Sequence, residues 1–272
     1  MRGELWFIGL GLCSEDDLSM KALKILRSCK EVFIDQYTSI IPKLNIARLE
    51  RLIGKPVTPL RRRDLEDDEA SRLIKVAEKG RAALIVPGDP FVATTHIAIR
   101  LQAEKHGVKT KVLNSASVIT AIYGATGLHC YKFGRPVTIV RPKKDLGYFP
   151  TTHYEVLRDN LKRGLHTFFF LELDAETGDY VSVNEALKIL WETESMFREG
   201  IIKDDTLAVG LSRIGCEDAF VKAAPIRVLE KMEFGPPPHS LIIPGKLHPL
   251  ESEALVILCG ACPDVVGKER KT

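Results

Sequence analysis

At 272 residues and 30.3 kDa, the chain has room for one large domain or two of about 100–150 residues each. Apolar residues make up 45% and charged residues 28%, which excludes wholesale disorder, and no apolar run approaches the ~20 residues needed to cross a bilayer. The net charge of +3 is too small to argue nucleic-acid binding. The start, Met1-Arg2-Gly3-Glu4-Leu5-Trp6-Phe7, lacks a cleavable signal pattern, so a soluble cytoplasmic protein is expected.

Residues 5–8 predict a first strand ending at Gly9-Leu10-Gly11. The spacing Ser14-x-x-Asp17 then predicts a capping box that opens a helix running to about Arg27. Strands are expected at 31–35 and 55–60, an amphipathic helix at 67–78, and a fully apolar strand at 82–86. That fourth strand runs into Pro87-Gly88-Asp89-Pro90, Thr94 or Thr95 caps the next helix, and residues 109–113 form a fifth strand. Strands alternating with helices predict an α/β domain with a mostly parallel sheet over 1–113.

From Asn114 onward the pattern changes. Strands are expected at 136–140, 167–173, 206–211, 219–223 and 239–243. Helices at 154–163 and 183–197 are introduced by Thr152-x-x-Glu155 and Ser182-x-x-Glu185. Helices set between runs of adjacent strands predict a second α/β domain, 114–272, with a mixed sheet. Arg61-Arg62-Arg63, followed by the acidic residues 64–69, reads as a solvated loop and helix start.

Among the six cysteines only Cys259 and Cys262 are close in sequence. A zinc ribbon needs a second tight pair, so no metal site is expected. The pair follows the apolar run 254–258, read as a strand. Buried strand-end thiols are therefore expected, with a redox pair or local disulfide as the alternative.

Four features fall at strand ends, where open α/β sheets bind ligands. Gly9-Leu10-Gly11-Leu12-Cys13-Ser14 supplies two of the three glycines of a dinucleotide fingerprint, with Ser14 in the third place. Asp35 follows Gly9 by 26 residues, a little far for a ribose-binding acid. In Pro87-Gly88-Asp89-Pro90, prolines on both sides stiffen a turn that presents Asp89 at a set angle. That carboxylate suits an amine or ribose hydroxyls, or simply an Asp turn before a capped helix. Asn114-Ser115-Ala116-Ser117 can cap a helix or leave room for a flat ring. Pro236-Pro237-Pro238 delivers His239 to the start of a strand in a defined direction.

In this order the motifs resemble those of the archaeal diphthine synthases. These belong to the tetrapyrrole methylase-like (class III) methyltransferases that use S-adenosylmethionine. The matching segments include Phe7-Ile8-Gly9-Leu10-Gly11-Leu12, Tyr37-Thr38-Ser39, and Gly88-Asp89-Pro90-Phe91-Val92-Ala93-Thr94-Thr95-His96. Gly127-Leu128-His129, Tyr131-Lys132-Phe133-Gly134, Gly164-Leu165-His166-Thr167, and Pro244-Gly245-Lys246-Leu247-His248 continue the series. The resemblance implies two α/β domains with the cofactor in the cleft between them, in a homodimer. It also implies a cofactor site formed by Leu12, Asp89, Val92, Ser117 and Val118 from the first half, and Leu171, Ile214 and His239 from the second. Pro236 stands where the family pattern generally has Asp. The implied reaction methylates the amino group of 3-carboxy-3-aminopropyl-histidine on translation elongation factor 2. It runs on to the trimethylammonium product diphthine, in diphthamide biosynthesis, releasing S-adenosylhomocysteine.

Methyl transfer from a sulfonium asks mainly for alignment and an unprotonated amine. Tyr37 is a candidate face for the growing cation, and His96 or Asp89 a candidate helper in deprotonation. Three rival functions compete with this reading. One is a tetrapyrrole (precorrin-type) methyltransferase of the same superfamily. A dinucleotide-dependent oxidoreductase is disfavoured by Ser14 and the misplaced acid. An RNA-binding protein using Arg61–Arg63 is disfavoured by the small net charge. No membrane or nucleic-acid partner is expected.

Overall fold

In this computed structural model, which describes residues 3–143, 145 and 147–268, the first apolar runs become five parallel strands. These are β1 (Glu4–Gly9), β2 (Glu31–Asp35), β3 (Val57–Leu60), β4 (Arg81–Val86) and β5 (Lys109–Leu113), in spatial order β3-β2-β4-β1-β5. Helices α1 (Met20–Ser28), α2 (Ile46–Ile53), α3 (Ser71–Glu78) and α4 (His96–Lys105) return the chain between successive strands. On one face Leu26, Leu49 and Ile53 pack with Ile8, Ile34 and Ile85; on the other Leu73, Ile74 and Ile99 pack with Leu5, Phe33 and Leu84. With both faces covered, a central strand can be apolar at successive positions, as residues 82–86 of β4 are. Residues up to Val118, together with Asp174–Gly178, make one compact unit.

The other unit, Ile119–Leu173 and the residues from Asp179 on, holds a mixed sheet. After β5 the chain runs through α5 (Val118–Thr126), β6 (Val137–Ile139), α6 (Thr152–Lys162), β7 (Thr167–Leu171), the short pair β8 (Leu173–Asp174) and β9 (Asp179–Tyr180), and α7 (Val183–Phe197). It continues with β10 (Leu207–Ser212), β11 (Phe220–Pro225), α8 (Ile226–Leu229), β12 (His239–Ile243), α9 (Pro249–Cys259) and α10 (Pro263–Lys268). The sheet order is β11-β10-β12-β7-β6, with only β6 and β7 parallel. Tyr154, Leu157, Leu187 and Leu190 from α6 and α7 pack with Phe169, Ala208 and Leu241 in its core.

Several expectations need correction. Ser14 and Asp17 do form a capping box, but it opens a single 3-10 turn, Glu15–Asp17. Leu18 leaves helical angles, and Ser19 recaps α1 by accepting from the Ala22 N–H at 3.1 Å. The helix expected from 67 begins at Ser71, because Glu69 and Ala70 take positive φ angles of 49° and 53°. Ser182 caps α7 as expected, whereas Thr151, not Thr152, precedes α6 and its hydroxyl bonds Glu155 instead of a backbone N–H. The apolar run 254–258 is helix, not strand. It lies inside α9, which starts with Pro249 at its first turn and a His248 capping box and stops at left-handed Gly260. Short apolar runs are ambiguous by periodicity, and those two punctuation residues decide this one. Cys259 therefore ends a helix, buried, while Cys262 is exposed, and both are free. Helix α2 lies outside the expected elements, although Asn45 caps it and Gly54 closes it.

Candidate functional site

The first unit brings the ends of β1, β4 and β5 together through backbone. Gly88 N donates to Gly11 O at 2.8 Å, and Leu10 N to Val86 O at 2.8 Å. A Cβ on Gly9 would stand 2.6 Å from both Gly88 O and Ser115 Cβ, so only glycine lets these three strand ends close. Gly88 takes φ +67°, and the nearest atom to an added Cβ there is Ala116 O at 3.8 Å.

Asp89 follows, buried. Its Oδ2 accepts from Asn114 Nδ2 at 2.9 Å and from the Ser115 N–H at 3.3 Å, and its Oδ1 accepts from the Phe91 N–H at 3.2 Å. The carboxylate thus ties the β4 turn to the β5 turn. Leu12, Val92 and Val118 are half-buried beside this edge, and Ser117 is buried. All five residues expected from the first half therefore sit at or just past the carboxyl ends of β1, β4 and β5. Half-exposed apolar side chains beside bare glycine backbone suit a flat heterocycle carrying hydrogen-bonding groups.

The Gly9-x-Gly11 loop is closed to a phosphate. Asp17 Oδ2 accepts the N–H groups of Leu12 (2.9 Å), Cys13 (2.7 Å) and Ser14 (3.4 Å), which fills the anion position with the chain's own carboxylate. This removes the structural basis of the oxidoreductase rival. Asp17 stands out in the sequence only as a capping residue.

At the end of β2, Asp35 Oδ1 accepts from the Tyr37 N–H (2.8 Å) and the Thr38 N–H (3.2 Å), and Oδ2 accepts from the Thr38 hydroxyl. The Tyr37 hydroxyl donates to Glu66 Oε1 at 2.9 Å and lies 3.0 Å from Thr95 Oγ1. Burial pushes the phenol up to about 12, with Glu66 adding to the rise. The ring itself is buried, and the Arg62 guanidinium lies over its face 5.5 Å from the centroid. Tyr37 is therefore not an open platform for a cation. His96 is wholly buried too, with Nδ1 3.1 Å from Pro90 O.

In the second unit the strand registers set Leu171, at the end of β7, beside His239, at the start of β12, and pair His239 with Ser212. Ile214 lies just beyond β10, buried, next to Arg213 at φ 52°, whose N–H donates to Pro238 O at 2.9 Å. The three residues expected from the second half thus share one sheet edge. His239 Nε2 donates to Gly235 O at 3.0 Å, and Nδ1 accepts from the Val183 N–H at 3.4 Å. Burial pushes this imidazole below the ordinary histidine range, against the pull of the Gly235 and Pro236 carbonyls. Pro236 accepts from the Ser212 hydroxyl at 3.2 Å through its carbonyl.

The remaining motifs of the second unit converge on Glu251. Its Oε1 accepts from the His129 N–H (2.9 Å) and lies 3.0 Å from His166 Nε2, while Oε2 takes the His248 N–H (2.7 Å) and the Lys132 ammonium. Against the effect of burial, these donors hold the carboxyl down at about 2. Among the described residues, no group of three or more His, Cys, Asp or Glu could hold a metal ion.

The profile of the tetrapyrrole (corrin/porphyrin) methylases matches residues 4–230. The diphthine synthase of Methanothermobacter thermautotrophicus is 38% identical over 262 residues, spanning 96% of this chain and 98% of the relative. That of Methanosarcina barkeri is 40% identical over 259 residues, 94% of this chain and 96% of its own. A crystal structure of diphthine synthase superposes with a TM-score of 0.85 at 36% identity, covering 97% of this chain and 99% of that one.

Proposed function

The chain belongs to the diphthine synthases, within the tetrapyrrole (corrin/porphyrin) methylase family, and from that premise we propose that it is an S-adenosylmethionine-dependent methyltransferase acting on translation elongation factor 2. The acceptor is the amino group of 3-carboxy-3-aminopropyl-histidine, trimethylated to diphthine in diphthamide biosynthesis. The observation that carries this reading is identity of 38–40% over at least 94% of the chain with proteins of that one name.

Bound S-adenosylmethionine supplies a methyl group on a sulfonium that departs as a neutral thioether. No residue need protonate the leaving group, so the chain's own work is orientation. We assign Leu12, Val92 and Val118 to apolar contact with the cofactor, and Asp89 and Ser117 to polar contact, from the first unit. Leu171, Ile214 and His239 are assigned to it from the second. The turns that carry these residues are held by internal hydrogen bonds before any ligand arrives, which reduces the ordering cost of binding.

The working form is a homodimer. Helix α9 exposes Leu250, Ile257 and Leu258 along one face, and an apolar face of that kind calls for a cover that a second copy provides. No helix among the described residues is long and apolar enough to cross a membrane. The proposed place of work is the cytoplasm, where the translation factor acts. The test is to incubate the protein with labelled S-adenosylmethionine and elongation factor 2 carrying the precursor side chain, then weigh the modified peptide. A mass increase of methyl groups on that histidine is expected. Transfer to a ring carbon of a precorrin instead, with none to the factor, would overturn the assignment.

A further inference from the structure

His96 joins two turns of the first unit's strand-end edge. Its ring opens α4 with no solvent exposure. A carbonyl can only accept, so Nδ1 carries a proton and donates it to Pro90 O at 3.1 Å. On the opposite side Nε2 stands 3.2 Å from Asp35 Oδ2, off the line of a hydrogen bond. Buried ring nitrogens without an aligned partner are uncommon, and the acid facing this one is Asp35. Pro90 closes the turn of Asp89, and Asp89 in turn holds Asn114 and Ser115. Asp35 closes the turn of Tyr37 and Thr38. A single imidazole therefore stands between the ends of β4 and β2, and the polar chain runs on to β5.

This placement excludes His96 as the base that deprotonates the acceptor. One nitrogen is already donating to Pro90, and the whole ring is shut from solvent, so an incoming amine cannot reach it. We propose that His96 is a positioning residue, which anchors Pro90 from the Asp35 side and so fixes the angle at which the Asp89 turn meets the cofactor. The inference rests on the methyltransferase reading above and names a residue through which that site is preorganised.

The test compares His96→Asn with His96→Gln. The Asn amide occupies the place of Nδ1 and can still reach Pro90, whereas the Gln amide reaches toward Asp35 and leaves the Pro90 carbonyl to the Thr94 hydroxyl alone, at 3.0 Å. Titration calorimetry with S-adenosylmethionine should find His96→Asn within about threefold of wild type and His96→Gln roughly tenfold weaker. The Asn variant should keep a pH–rate profile of wild-type shape. Amide exchange at Phe91, whose N–H donates to Asp89, should quicken in the Gln variant alone. Equal affinities and equal exchange in both variants would overturn the proposal. Loss of turnover in His96→Asn with binding intact would overturn it in favour of a base. Failure of the wild-type protein to bind S-adenosylmethionine would instead count against the methyltransferase reading, and Phe91 exchange would still decide the role of His96.

Discussion

Asp17 Oδ2 lies 2.7 Å from the backbone nitrogen of Cys13 and 2.9 Å from that of Leu12. One exposed carboxylate thereby closes the glycine loop that a nucleotide phosphate would otherwise enter. Asp17→Ala is expected to lose about 1–2 kcal/mol of stability, the usual cost of removing such a cap, measured by denaturant titration. In the wild-type protein, equilibrium dialysis with NAD should detect no binding. Saturable NAD binding would show that the loop opens and that the filled-site account is wrong.

Asp89→Ala leaves three donors, from Asn114, Ser115 and Phe91, without their acceptor. A stability loss of about 1–3 kcal/mol is expected, since Asn114 can turn to water and the backbone donors cannot do so as readily. Affinity for S-adenosylmethionine should fall roughly 10- to 150-fold, the equivalent of a charge-assisted hydrogen bond. Calorimetric titration beside thermal unfolding separates the two effects. An unchanged affinity with reduced stability would leave Asp89 as a brace between turns and not as a ligand.

Gly9→Ala probes the closest approach of backbone in the site. The added methyl would stand 2.6 Å from both Gly88 O and Ser115 Cβ, and 3.1 Å from Pro90 Cδ. Because two of these neighbours are backbone-fixed or ring atoms, the strand ends must part, at a cost of about 1–3 kcal/mol. Cofactor affinity is expected to fall along with stability. A variant that melts like wild type would show that the strand ends are looser than their contacts indicate.

Glu251 gives a pH dependence with a defined sign. Its folded carboxyl, at about 2, lies below the ordinary 4.5, so its contribution is complete above pH 4.5 and is lost as pH falls from there toward 2. That shift corresponds to about 3 kcal/mol. Glu251→Gln should therefore be less stable than wild type at neutral pH by about this amount. The two proteins should converge as the solution is acidified through that window. Parallel stability curves from pH 7 to pH 2.5 would refute the account.

Strand placement in both sheets was legible from the amino-acid sequence. Residues 82–86, the buried part of β4, are apolar throughout, and turn residues such as Pro87, Gly88 and the proline run before His239 punctuate the strands. Helix α7 and strand β12 appear at their expected bounds because Ser182 and Pro238 mark their starts unambiguously. Helix α2 is equally marked, by Asn45 and Gly54, and the apolar run 254–258 is set as helix by the proline and glycine that frame it. The places of Leu12, Asp89, Val92, Ser117, Val118 and Ile214 beyond strand ends, and of His239 at a strand start, follow from chain order, whereas Leu171 falls inside the expected strand 167–173 and only the folded chain ends β7 there. What the side chains do there was decided only by tertiary structure. Asp17 and Cys13 are neighbours in sequence, yet their bond depends on how the 3-10 turn folds back. His96 meets Asp35 across 61 residues, and Glu251 meets His129 across 122. Hydrogen bonds are short-ranged and directional, so such partners carry no periodic trace along the chain, and they become visible only when the packed sheets bring the loop ends together.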